Sequence, residues 1–174
     1  SIEQLESNGF KGIFVCSGAG LPNFMNIPGE NLINIMSSNE YLTRVNLMDA
    51  ANPTTDTPLN IGKHVLVVGG GNTAVADALF LSKICKKVYL VHRRDELRAS
   101  KTYMDSLNEA ENLEFIWNSE VVEVLADDLV TGVKVKNKEN CEVSEIDCDG
   151  VFVAIGNVPN TELVKGQIDL DEGG

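Results

Sequence analysis

The spacing of apolar residues along the chain changes rhythm several times, and each change predicts a different kind of element. Residues 12–18, GIFVCSG, form a short apolar run closed by glycine, the pattern of a strand buried on both faces. Residues 21–60 hold four of the five prolines, Pro22, Pro28, Pro53 and Pro58, with little sustained periodicity, so this stretch reads as connector. Within it, Ser37 and Glu40 make a capping-box pattern ahead of YLTRVNLM, where Tyr41, Leu42, Val45 and Met48 share one helical face.

From residue 64 the order becomes regular. HVLVVGGG predicts a buried strand, NTAVADALFLSKICK a helix with Val75, Ala78, Leu79 and Leu81 or Ser82 inward, KVYLVHRR a strand, residues 99–112 a helix, and LEFIW a third strand. Strands alternating with helices make a parallel sheet. The period then drops to two in VVEVLAD, VTGVKVKN and CEVSEID, which predicts an antiparallel meander, and GVFVAIG at residues 150–156 returns as an apolar strand. GIFVCSG and GVFVAIG share the order glycine, branched aliphatic, Phe, Val, two residues, glycine. Either each closes a similar nucleotide-binding half, or two buried strands resemble each other by chance.

Composition narrows the function. The chain has 174 residues and 43% apolar content, enough to bury one good core. Fourteen Lys and Arg against 26 Asp and Glu leave a net charge of −12, which argues against nucleic acid or an anionic membrane as partner. No transmembrane run or signal peptide is evident. Cys16, Cys85, Cys141 and Cys148 show no C-x-x-C spacing, so reduced, mostly buried thiols in a cytoplasmic protein are expected and a metal site is not. Against this acidic background Lys83, Lys86, Lys87, Arg93, Arg94, Arg98 and Lys101 place seven of the 14 cationic side chains within residues 83–101. A solvated basic helix end is one explanation.

The neighbouring glycines suggest another. Gly69-x-Gly71-x-x-Ala74, with Gly70 between the first two, falls where a strand turns into a helix. Gly69 would permit the tight turn, Gly71 the approach of a pyrophosphate, and Ala74 close packing of the helix. Unpaired N–H groups at the helix start would bind the diphosphate, with the side chains of Asn72 and Thr73 as added donors. About twenty residues on, where an NAD site carries an acidic residue for the ribose 2′-hydroxyl, the chain has His92, Arg93 and Arg94, then Arg98. Guanidinium groups suit a 2′-phosphate, which favours NADPH over NADH.

These residues resemble a known family. VVGGGNTAVADALFLSK followed by VYLVHRRDELRASK is similar to the NADPH domain of thioredoxin reductase and related two-dinucleotide flavoproteins, and GVFVAIGNVPNTEL resembles the strand and loop by which such chains leave that domain. Upstream, GAGLPNFMNIPGENL and SSNEYLTRVNLM resemble the small subunit of NADPH-dependent glutamate synthase. The resemblance places the chain in the pyridine nucleotide-disulfide oxidoreductase superfamily. It implies an α/β, Rossmann-like three-layer domain of the FAD/NAD(P)-binding fold, with a central parallel sheet and an antiparallel meander. By the same resemblance residues 1–60 are a remnant of a split FAD-binding domain with connector, 61–158 the NAD(P)H-binding domain, and 159–174 the start of a return connection. At the end of GVFVAIG, Ile155 and Gly156, with Asn157 and Pro159 beyond, are candidates for backbone contact with the cofactor, a plain loop being the alternative.

Two departures qualify the resemblance. The stretch MDAANPTTDTPLNIGKH contains no cysteine where such thioredoxin reductases carry a C-x-x-C dithiol, and neither the glycine-rich FAD fingerprint nor the late Gly-Asp motif is present. The expectation is therefore an NADPH-binding piece of a flavin-dependent oxidoreductase. FAD belongs to the full-length parent, electrons leave for a partner subunit or a downstream centre, and the isolated piece does not oxidise NADPH. A thioredoxin-reductase relative without the dithiol, a nucleotide-sensing module and a methyltransferase are the alternatives, the last disfavoured by Arg93 and Arg94. No catalytic acid, base or nucleophile is assigned; His64, Cys141 and Cys148 read as structural.

Overall fold

The computed structural model describes residues 1–171 apart from Ser17, Ala19, Pro53, Pro58 and Ile61, and omits the Lys101 side chain. The chain divides into two compact units, one made of Ser1–Pro22 with the C-terminal segment from Asn157, the other of Asn23–Gly156. In the first, α1 (Ile2–Ser7) is capped by Ser1, whose Oγ accepts from the Gln4 N–H at 3.3 Å, and β1 (Leu21–Pro22) is a two-residue strand. Gly12–Cys16 form no strand, contrary to the expectation for GIFVCSG; the rest of that run includes Ser17, outside the described residues. An isolated apolar run becomes a strand only where a partner takes its N–H and C=O groups, and among the described residues none pairs with 12–16.

The larger unit opens with β2 (Ile35–Ser37) and α2 (Ser38–Asn46), both inside the stretch read as connector. Ser37 Oγ accepts from the Glu40 N–H at 3.1 Å, as the capping pattern requires. Then follow β3 (His64–Gly69), α3 (Asn72–Ser82), β4 (Lys87–Val91), α4 (Lys101–Asn108) and β5 (Leu113–Ile116). The meander is β6 (Ser119–Ala126), β7 (Val130–Asn137) and β8 (Val143–Asp147), after which β9 (Gly150–Ala154) re-enters the sheet. Past it, β10 (Asn157–Val158) pairs antiparallel with β1 in the smaller unit.

All neighbours in the five-stranded sheet, ordered β2-β9-β3-β4-β5, are parallel. Its two faces are legible in β3, where successive side chains alternate. Val65 and Val67 pack with Val75, Ala78 and Leu81 of α3, while Leu66 and Val68 pack with Val121, Val124, Val133 and Val135 of the meander. Helices, parallel sheet and antiparallel meander thus form three layers, the fold class expected from the sequence. The chain runs outward from β3 through β4 to β5, then returns on the other side of β3 as β9. This reversal is a topological switch point, and in open α/β sheets ligands bind at the carboxyl ends of strands beside such a point.

Candidate functional site

At the switch point Gly69 pairs in register with Ala154, and three glycines follow one another for three different reasons. A Cβ on Gly69 would meet the Ala154 carbonyl oxygen and come within 2.7 Å of the Ala74 Cβ. On Gly70 it would run into the His92 ring, 2.6 Å from Nε2. At Gly71 a Cβ would meet nothing within 4 Å, so the backbone there is open to an approaching group. Gly71 also caps α3 without a side-chain hydrogen bond, which leaves the first N–H groups of the helix, at Asn72, Thr73 and Ala74, without an intrahelical acceptor. Such a helix start attracts anions.

The cationic segment between β4 and α4 forms neither helix nor strand. The Arg98 N–H donates to the Gly70 carbonyl at 2.7 Å, and the Asn118 N–H donates to the Arg94 carbonyl at 3.2 Å. Arg93, Arg94 and Arg98 are exposed, and no ion pair among the described residues involves any of them. Lys87, by contrast, is neutralised by Glu114 at 2.8 Å. His92 differs from its neighbours: it is 5% exposed, and its Nε2 is buried without a hydrogen-bond partner. Burial, then the charges of Arg98, Arg93 and Arg94, hold its pKa below the usual imidazole value, while a hydrogen bond with the Glu96 backbone acts in the opposite sense. The ring is therefore a neutral wedge against Gly70, lining the same cleft as Arg93 and Arg98.

A cleft of about 560 Å³ joins these parts. Of the residues expected from sequence, Gly69, Gly70, Gly71, Thr73, His92, Arg93, Arg98, Ile155 and Gly156 line it. Three do not. Ala74 is fully buried beneath the loop, the Asn72 side-chain oxygen already accepts from the Ser100 N–H at 2.9 Å, and Arg94, though exposed, is not part of the lining. Sequence reasoning missed Asn23, Phe24 and Met25, and Ser119, Glu120 and Val121, which line it together with the strand residues Val68, Val91 and Ala154. The first three reach it because the Asn23 N–H donates to the Gly156 carbonyl at 2.9 Å; the second three open the meander. Alternation marks Val121 as part of a strand, but nothing in the sequence places either group at the cleft.

A slightly larger cavity, about 610 Å³, lies beside β2. Its one lining cation, Arg44, is bound to Glu40 at 2.7 Å, and it contains no glycine loop. The smaller cleft is the better candidate on chemistry: an open backbone, a helix N-terminus and two arginines, Arg93 and Arg98, with no ion pair among the described residues, converge on it.

Comparison with known proteins is decided by one match, the pyridine nucleotide-disulphide oxidoreductase family over residues 3–174. The chain belongs to this family. A thioredoxin reductase of Mycolicibacterium smegmatis is 36% identical over 169 residues, covering 97% of this chain and 50% of that protein. One from Streptomyces coelicolor is 46% identical over 112 residues, 64% of this chain and 35% of that protein. Among solved structures, thioredoxin reductase of Streptococcus pyogenes superposes with a TM-score of 0.70 at 32% identity, over 90% of this chain and 48% of that one. Against curated relatives of this family the chain spans between about a third and a half of their length. These relatives are thioredoxin reductases, and the resemblance to glutamate synthase gains no specific support from them.

Proposed function

We propose that this chain is the NADPH-binding part of a flavin-dependent reductase of the pyridine nucleotide-disulphide oxidoreductase family. The observation that carries the reading is the set of exposed arginines, Arg93, Arg94 and Arg98, free of ion pairs with described carboxylates and placed after the strand next to the glycine loop. Bound NADPH would supply a hydride, and a flavin held by the rest of the parent protein would accept it. The chain's own contribution is positioning. The start of α3 and the open backbone at Gly71 suit the pyrophosphate, with the Thr73 side chain beside them. Arg93 and Arg98 suit the 2′-phosphate, and Ile155 and Gly156 suit the far end of the nucleotide. His92, neutral and buried, fits the support of Gly70 better than a charged contact with phosphate.

The acceptor lies beyond the dinucleotide. Residues 48–64 hold no cysteine, so no dithiol in that stretch can pass electrons to thioredoxin. Together with the upstream likeness to the glutamate synthase small subunit, this favours a protein partner that takes electrons from the flavin. A nucleotide-binding chain without that flavin would leave NADPH unoxidised.

Each lost charge-assisted hydrogen bond costs roughly 1.5–3 kcal/mol, about tenfold to a hundredfold or more in affinity. Arg93→Ala and Arg98→Ala are expected to weaken NADPH by that factor and to change NADH by less than about twofold, with a smaller effect for Arg94→Ala. Equal losses for both cofactors in a fluorescence titration would refute the assignment.

A further inference from the structure

Two backbone donors of the arginine segment end on the glycine loop. The Arg98 N–H reaches the Gly70 carbonyl at 2.7 Å, and two residues later the Ser100 N–H reaches Asn72 Oδ1 at 2.9 Å. Ser100 is the N-cap of α4 and Asn72 the first residue of α3, so the second bond ties the starts of two helices together. The residues between β4 and α4 have no helix or strand to hold them. The Asn118 N–H on the Arg94 carbonyl, the Ser119 N–H on the His92 carbonyl and the burial of Leu97 against the core hold the segment from the other side, and these two bonds tie it to the loop itself.

We infer that Asn72 is a positioning residue for cofactor choice: its side-chain oxygen latches the arginine segment to the glycine loop and thereby sets where Arg98 and Arg93 meet a phosphate. The inference rests on the NADPH reading above and adds a residue to it. A backbone N–H can only donate, so the atom facing Ser100 must be the amide oxygen. That atom is thereby committed to the Ser100 N–H. Asparagine provides this acceptor at a helix N-terminus without the negative charge that aspartate would set against a bound pyrophosphate.

A latch and a direct pyrophosphate ligand predict different outcomes. Pyrophosphate is common to both cofactors, whereas the 2′-phosphate belongs to NADPH alone. A neutral hydrogen bond of this kind corresponds to about a two- to tenfold change in an equilibrium. The 174-residue chain and its Asn72→Ala variant are titrated with NADPH and with NADH. Asn72→Ala is expected to lower NADPH affinity by about that factor and to leave NADH within twofold. Ser100→Pro removes the donor from the other side, at a φ of −64° that proline accepts. It should reproduce the effect, and the double variant should lose no more than either single one. Equal losses for the two cofactors, no loss for either, or additive losses in the double variant would overturn the latch. A wild-type chain without preference for NADPH would overturn the underlying reading, and the latch with it.

Discussion

Residues 12–18 and 150–156 carry the same order of residue types, yet Phe14 is 91% exposed and Phe152 is 2% exposed. The second run forms β9, with Ile35–Ser37 parallel on one side and His64–Gly69 on the other, and its phenylalanine packs edge-on against Tyr41 at 5.6 Å. The first has no strand partner among the described residues. An apolar β-branched and aromatic run therefore specifies willingness to be a strand, and the neighbours supply the hydrogen bonds that make it one.

The largest effect that would break this contrast is at the two phenylalanines. Phe152→Ala is expected to cost about 3–5 kcal/mol, and Phe14→Ala less than about 0.5 kcal/mol, in denaturant unfolding of the chain. Comparable losses would mean that residues 12–16 are packed as well. A second test uses the place where the buried run reaches the site. Gly69→Ala pushes a methyl group against the Ala154 carbonyl and the Ala74 side chain, at an expected cost of about 1–3 kcal/mol together with weaker NADPH binding. Unchanged stability and affinity would show that the end of β9 does not shape the loop.

Acid titration sharpens the contrast further, because the buried side carries a group that can report it. The pKa of His92 is lower folded than unfolded. Its contribution to stability is thus complete above the unfolded value of about 6.5 and is lost as pH falls through the folded value. His92→Gln should flatten the fall in stability below about pH 6.5, whereas Phe14→Ala should leave that slope as it is. The smallest test is chemical. Cys16 stands in the exposed run where Ala154 stands in the buried one, and with exposed Cys141 it should be alkylated in the native protein. Cys85 and Cys148 are buried, their thiols pushed up to about 11 and about 12, and should be spared. Rapid modification of Cys148 would indicate that the core around β9 opens easily.

Much of the larger unit was legible because its elements repeat their own period. β3, α3, β4, β5 and the three meander strands follow from apolar spacing, and the glycine and arginine motifs predict which strand ends face the cleft. Other features depend on partners that no local pattern names. Ile35–Ser37 is three residues long in a proline-bearing stretch and becomes a strand by pairing with Val151–Val153. Gly70 has no evident purpose until His92, far along the chain, fills the space above it. Asn72 reads as a ligand by its position, and its bond to Ser100 shows its side-chain oxygen occupied. The cysteine residues divide evenly between buried and exposed, where composition suggested mostly buried.

NADPH and NADH differ by one phosphate, and a pair of smaller nucleotides isolates it. Adenosine 2′,5′-bisphosphate and adenosine 5′-monophosphate differ only there, and each can be titrated against the chain by calorimetry. The bisphosphate is expected to bind tighter by about tenfold or more, falling to parity when Arg93 and Arg98 are both replaced by alanine. Equal binding of the two nucleotides by the unaltered chain would contradict it.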